Sequence, residues 1–264
     1  MEQLLKTIIL GIIQGLTEWL PISSTGHLKL AEHFFNLRTP ILFDVILHTG
    51  TLTVVLLFFR REIRDMLSAL VRFEFKTEYG RLIPLIIVGT IPTALIGFAF
   101  GEIIESSFQS LLSLAAAFIL CGIILYSAKT VKEKTDNIDY LTALMVGIAQ
   151  GIAIIPGISR SGATIATALL LGVKREKAFK FSFLLSIPAI IGALGLTLYT
   201  QFNELTATGL SWVEIFGGMV VAMFVGYLAL KILWKILAKK KFHIFAFYCW
   251  LLGVVLIAMG LRGF

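Results

Sequence analysis

Charge is scarce in this chain. Only 15% of its 264 residues are Asp, Glu, Lys or Arg, while 58% are hydrophobic. The mean hydropathy is +0.91. That balance excludes an ordinary soluble domain, and several apolar runs approach the length that crosses a bilayer. Cysteine is almost missing: Cys121 and Cys249 lie in apolar runs without zinc spacing and read as packing residues. There is no G-x-x-x-x-G-K-[ST] stretch and no G-x-S-x-G elbow, which excludes a P-loop and that type of serine hydrolase. C-x-x-C and H-E-x-x-H are absent too. A signal peptide is not supported: Gln14, Glu18 and Trp19 interrupt the N-terminal apolar run and no clear cleavage site follows.

The charge that is present has a pattern. The net charge is +7, and 18 of the 23 basic residues fall in four short stretches, 60–81, 129–139, 173–180 and 231–241. Nucleic acid is therefore not the expected partner; membrane topology explains the charge. Positive-inside reasoning places these four stretches in the cytoplasm. The stretches 101–110 and 200–211, with Glu102, Glu105 and Glu204 and no Lys or Arg, fall outside. Six runs read as spans: 41–59, 82–100, 111–128, 181–199, 212–234 and 243–261. Lys6, Lys29 and Arg38 lie on the predicted outer side, against the trend.

Segment 140–172 joins two cytoplasmic stretches, so it must enter and leave on one side. Its 33 residues fall short of the ~40 plus a turn that two spans need. A re-entrant pair of half-helices fits, with irregular backbone lining a protein cavity. Residues 1–40 follow the same logic from the outside, with Gly26 in the turn region. A repeat supports this. Gln14, Gly15, Ser23 and Gly26 map onto Gln150, Gly151, Ser159 and Gly162 at a constant offset of 136. Each half, about 1–128 and 140–264, is then one re-entrant pair plus three spans. The predicted fold is an all-α polytopic membrane protein: six transmembrane helices and two re-entrant helix-loop-helix pairs in an inverted-topology repeat, one domain over 1–264. Broken helices in matching halves point to a binding site between them.

Gln14 and Glu18 share a helix face, and a carboxylate in apolar sequence is a functional hypothesis by default. The alternative is an interfacial Glu18, or one that only pairs with Arg160. Pro21 ends the first half-helix. Ser23, Ser24 and Thr25, and in the second copy Ser159, Ser161 and Thr164, can cap the next helix, and free N–H groups there favour phosphate. Plain capping needs no ligand, but it gives no use to Arg160, whose guanidinium suits bidentate phosphate binding. His27, three residues after Ser24, is expected on the same face as acid, base or nucleophile. Asp44 and His48 form an i,i+4 pair that orients His27 or lines the cavity. Glu2, Glu32, His33 and His243 read as interfacial, and Glu214 as without a role.

The copies differ where chemistry is expected: Glu18, Ser24 and His27 face Ile154, Arg160 and Ala163 at the repeat offset. No Lys…Arg-Pro signature of the acid-phosphatase type of lipid phosphatase occurs. The chain resembles, almost end to end, the undecaprenyl-diphosphate phosphatases of the bacitracin-resistance type. The carrying motifs are Gln14-Gly-Leu-Thr-Glu18 with Leu20-Pro-Ile-Ser-Ser-Thr-Gly-His27, and Pro156-Gly-Ile-Ser-Arg-Ser-Gly-Ala-Thr164. Phe43-Asp-Val-Ile-Leu-His-Thr-Gly50 and Phe181-Ser-Phe-Leu-Leu-Ser-Ile-Pro188 support them.

The resemblance implies an enzyme of the bacterial inner membrane that removes one phosphate from a C55 polyprenyl diphosphate. It recycles the cell-wall carrier lipid and confers bacitracin resistance. The family's (E/Q)xxxE motif falls on Gln14 and Glu18, and its serine, histidine and arginine fall on Ser24, His27 and Arg160. It also implies a divalent cation, Mg²⁺ or Ca²⁺, with Glu18 as ligand. The expected binding residues are Gln14, Ser23, Thr25, Gly26, Ser159, Ser161, Gly162 and Thr164. The nucleophile stays open between Ser24, His27 and water. The expected partners are the prenyl diphosphate, its tail in a lipid-facing groove, and membrane lipids; a homodimer stays open. The site is expected to open outward. The rival reading is a prenyl-phosphate flippase using the same site.

Overall fold

The computed structural model describes residues 2–35, 41–200 and 210–262. Among them no strand forms; the chain is helical, with one isolated bridge between Thr135 and Val173. The helices are α1 (Glu2–Trp19), α2 (Ser24–Phe35), α3 (Ile41–Phe58), α4 (Arg60–Val71), α5 (Leu82–Ser107), α6 (Leu111–Ser127), α7 (Tyr140–Ile152), α8 (Arg160–Leu170), α9 (Arg175–Thr200), α10 (Trp212–Ala238) and α11 (Ile244–Gly260). Five of these, α3, α5, α6, α9 and α10, are long and apolar enough to cross a membrane. The chain is a multi-pass membrane protein. The run expected as a sixth span is α11, 17 residues long. At 1.5 Å per residue it covers about 25 Å, less than the ~30 Å of a hydrocarbon core.

Several boundaries differ from expectation. Helix α5 continues to Ser107, through most of the stretch expected as an outer loop, and α9 starts at Arg175 inside a basic stretch. Charge at a helix end does not stop a helix; it only needs water. Pro92 and Pro188 sit inside α5 and α9 without ending them. The basic stretch 60–81 holds α4. The first turn is 20–23 rather than Gly26, which lies in the first turn of α2. Pro21 ends α1, and Ser23 adopts φ +69°, a left-handed conformation that reverses the chain. The hydroxyl of Ser23 then accepts from Gly26 N–H at 3.3 Å and caps α2. Ser159 repeats this for α8, accepting from Gly162 N–H at 3.1 Å. Helix α7 is started by Asp139, whose carboxylate accepts from Thr142 N–H at 2.8 Å. The Thr142 contacts hold that carboxyl below its usual range. Arg38 and most of the stretch expected at 200–211, including Glu204, lie outside the described residues.

The basic stretches gather at one end. Lys177 pairs with Glu78, Lys180 with Glu62, Lys174 with Asp136 and Arg175 with Glu133. At the same end the His243 ring meets Tyr126 at the close of α6. Helix α1 runs parallel to α10: Gly11 meets Gly218, Gly15 meets Ala222, and Trp19 meets Gly226. So α1 ends level with the middle of α10. Helix α7 runs parallel to α5 in the same way. Thr93 donates to Gly147 O at 2.9 Å, and α7 ends near Ile96, about halfway along α5. At Gly11 and at Gly147, 136 residues apart, a Cβ would collide with the carbonyl of the facing glycine. Only glycine allows these two backbones so close.

The two turns meet in the interior. Ser23 Oγ accepts from Gly157 N–H at 3.1 Å, and Ser161 Oγ donates to Trp19 O at 3.0 Å. Trp19 is fully buried and packs edge-on against Phe183 at 5.5 Å. Cys121 and Cys249 are buried and free, as packing residues should be.

Candidate active site

Four elements bring the polar groups together. Helix α1 supplies Gln14 and Glu18, α2 its first residue Ser24, α3 Asp44 and His48, and α8 its first residue Arg160. Glu18 is the hub. Its Oε1 accepts from Arg160 Nη2 at 2.8 Å. Its Oε2 accepts from Ser24 Oγ at 2.6 Å and from Gln14 Nε2 at 3.2 Å. The pairing of Glu18 with Arg160, raised in the sequence as the alternative reading, joins α1 to α8, 142 residues apart. The Arg160 guanidinium lies 5.3 Å from the centre of the Trp19 ring, which offers a cation–π face.

Stability alone is a weak reason for such a group. A buried ion pair often gains no more than its apolar replacement would. Two further observations point to a ligand. Among the described residues, Arg160 Nη1 and Gln14 Oε1 are buried without a hydrogen-bond partner. One is a spare donor and the other a spare acceptor, both beside the same carboxylate. Leaving each unmet costs about 1–3 kcal/mol.

The two histidines lie in different surroundings. His48 joins the hub: Gln14 Nε2 donates to its Nδ1 at 3.1 Å, and Glu18 Oε2 lies 3.8 Å from that nitrogen. His48 Nε2 lies 3.9 Å from Asp44 Oδ1. His27 does not share the face of Ser24. Its Nδ1–H donates to Ser23 O at 2.7 Å, and Tyr248 O–H donates to its Nε2 at 2.7 Å. The ring stacks on Tyr248 and meets Phe118 edge-on. An i+3 residue sits about 60° around the helix, enough here to turn the ring toward α6 and α11. His27 and Tyr248 form the polar edge of an apolar cavity of about 670 Å³ between α1, α2 and α11.

Of the other expected residues, most are engaged in structure. Ser23 and Ser161 tie the turns together, and Ser159 caps α8 and bonds Ser161 at 3.2 Å. Thr164 bonds Arg160 O and, at 2.5 Å, Ser182. Gly162 packs against Leu125 and Pro21, and Gly26 against Phe118. Thr25 is exposed.

Sequence reading missed two residues. Trp19 lies between the two stretches of the first motif, but nothing in its spacing marks it as the ring beside Arg160. Tyr248 is 221 residues from His27 in a uniformly apolar run, and no local pattern could have paired them. For a metal, no group of three His, Cys, Asp or Glu side chains is assembled among the described residues. The Glu18 carboxylate with the spare Gln14 Oε1 still fits a hard cation. Mg²⁺ is commonly held by one or two protein oxygens and completed by substrate phosphates and water.

The family described as "Bacitracin resistance protein BacA" matches residues 7–255 of this chain. The chain is 45% identical over 264 residues to a protein of Carboxydothermus hydrogenoformans, covering 98% of each. It is 42% identical over 265 residues to a protein of Halothermothrix orenii, again 98% of each. A Thermosipho africanus protein is 44% identical over 255 residues, covering 96% of this chain and 99% of its own. All three relatives are named undecaprenyl-diphosphatase.

Proposed function

The chain belongs to the BacA bacitracin-resistance family, and from that premise we propose that it hydrolyses undecaprenyl diphosphate to undecaprenyl phosphate and inorganic phosphate, recycling the cell-wall lipid carrier. The observation behind the site assignment is the Ser24–Glu18–Arg160 chain, with buried Arg160 Nη1 and Gln14 Oε1 left free for a ligand.

Arg160 Nη1 donates to a terminal phosphate oxygen. Ser24 Oγ, already bonded to Glu18, attacks the terminal phosphorus as Glu18 takes its proton. The bond from that phosphorus to the bridging oxygen breaks, and its electron pair leaves with the prenyl monophosphate. Water then attacks the phosphoserine. Glu18, having released that first proton to solvent, accepts one from the water and passes it to Ser24 Oγ as phosphate leaves. Ser24 is favoured over His27 because its oxygen already meets the base, whereas His27 Nε2 is bonded to Tyr248. When bound at Glu18 and Gln14, Mg²⁺ or Ca²⁺ would neutralise phosphate charge. Part of the tail occupies the apolar cavity, whose polar edge at His27 is bonded to the backbone of Ser23, next to Ser24.

Phosphate release from purified protein in detergent tests this. Release should need Mg²⁺ or Ca²⁺, stop with EDTA and return when the metal is restored. A lipid carrier of the rival kind would release none, and activity persisting in EDTA would remove the metal.

We read the two helix–turn–helix segments as re-entrant pairs entering from opposite faces, with α11 as a sixth, short span. Support comes from the ends of α1 and α7 at mid-height on α10 and α5, and from the matched glycine contacts 136 residues apart. The α1 start lies at the end away from the basic stretches, so the site opens to the outer side of the cytoplasmic membrane. Cys121 and Cys249 are buried, which leaves Thr25→Cys as the thiol to follow. Impermeant maleimide should label it on intact cells. Labelling only after the membrane is opened would overturn the orientation.

A further inference from the structure

The basic end holds a second feature that the reaction at Glu18 does not use. A cavity of about 290 Å³ opens between the chain around Lys76–Leu85, the 136–138 stretch and the first turns of α9. Its walls carry four cations, Lys76, Arg81, Lys177 and Lys180, and two carboxylates, Glu78 and Asp136. Both carboxylates are taken, Glu78 by Lys177 at 2.6 Å and Asp136 by Lys174 at 2.6 Å. Lys180 pairs with Glu62 at 3.3 Å. Lys76 and Arg81 form no ion pair among the described residues. The cavity is thus left with uncompensated positive charge above an apolar floor of Leu82, Leu85 and Phe181.

The element leading into it has a matching character. Helix α4 buries only Ala69. Leu67, Leu70, Val71 and Phe73 are exposed, while Arg60, Arg61 and Arg64 crowd its first turns. A helix with a basic side and uncovered apolar residues lies in the plane of a membrane interface. Basic pockets between spanning helices on the positively charged side are suited to anionic head groups.

We propose that this end carries an anionic-phospholipid site. The phosphate of one lipid lies between Lys76 and Arg81, and Leu67, Leu70 and Phe73 enter the adjoining acyl boundary. A lipid is the occupant because part of the wall is the first turns of α5 and α9, both of spanning length, and because the exposed Phe73 stands only three residues before Lys76 in the chain. The inference does not depend on the phosphatase reading.

The test uses the full-length protein in micelles with equal phosphatidylglycerol and phosphatidylcholine, and native mass spectrometry counts the retained lipid. The unaltered protein should retain phosphatidylglycerol preferentially. Lys76→Gln with Arg81→Gln should reduce that preference about tenfold, while phosphate release in detergent stays unchanged. The charge-keeping pair Lys76→Arg with Arg81→Lys should preserve it. No preference in the unaltered protein, or a preference surviving the glutamine pair, overturns the proposal. Displacement of the lipid by millimolar inorganic phosphate would assign the cavity to a free anion and overturn it equally.

Discussion

Arg160→Ala should lower phosphate release by about 10³-fold, the range expected when a guanidinium that stabilises a transferring phosphoryl group is lost. The guanidinium is buried, one nitrogen on Glu18 and the other free for phosphate. The alanine variant leaves the Glu18 carboxylate buried without its cation, at about 3–5 kcal/mol. A thermal-melt control therefore belongs with the assay. Arg160→Lys separates the two effects. It keeps a charge for Glu18 but loses the planar fork, so it should melt near the unaltered protein yet release phosphate at least about tenfold more slowly. Full activity in the lysine variant would mean that Arg160 serves only the ion pair.

Ser24→Ala and Glu18→Gln should each reduce the rate by about 10²–10⁴-fold, as expected for loss of a nucleophile or of the base that activates it. Glu18→Gln keeps the shape of the side chain but removes the base and the partner of Arg160. The two losses should not add. Ser24 and Glu18 share a 2.6 Å hydrogen bond and act in one step, so the double variant should be about as slow as the slower single one. Phosphate release over a long incubation, with the apparent rate taken for each variant, reads this out. Additive losses would place the two residues in separate steps.

Much of this arrangement is legible in the sequence, for identifiable reasons. The 136-residue offset returns as matched glycine contacts at Gly11 and Gly147, and the structure gathers the basic stretches at one end. Glu18 and Arg160 stand out because charges are rare where chain is apolar, and each is the other's partner. The surroundings of the two histidines were not legible. Spacing gives the angle of a residue around its helix, but not what a neighbouring helix offers there. Tyr248 and Phe118 claim His27, and Gln14 claims His48. The hydroxyls of Ser23, Ser159 and Ser161 look like phosphate ligands in isolation. In the structure Ser23 and Ser161 bond backbone groups on the facing turn, and Ser159 caps its own helix. Helix α4 was hidden within a stretch read only for its charge.

The most direct measurement is to quench the purified enzyme during turnover of a diphosphate labelled at its terminal phosphate and to map the label by mass spectrometry. The label should appear on Ser24, and Glu18→Gln should accumulate none. Label on His27, or undiminished turnover by Ser24→Ala with no labelled residue, would contradict the reaction centred on Ser24 and Glu18.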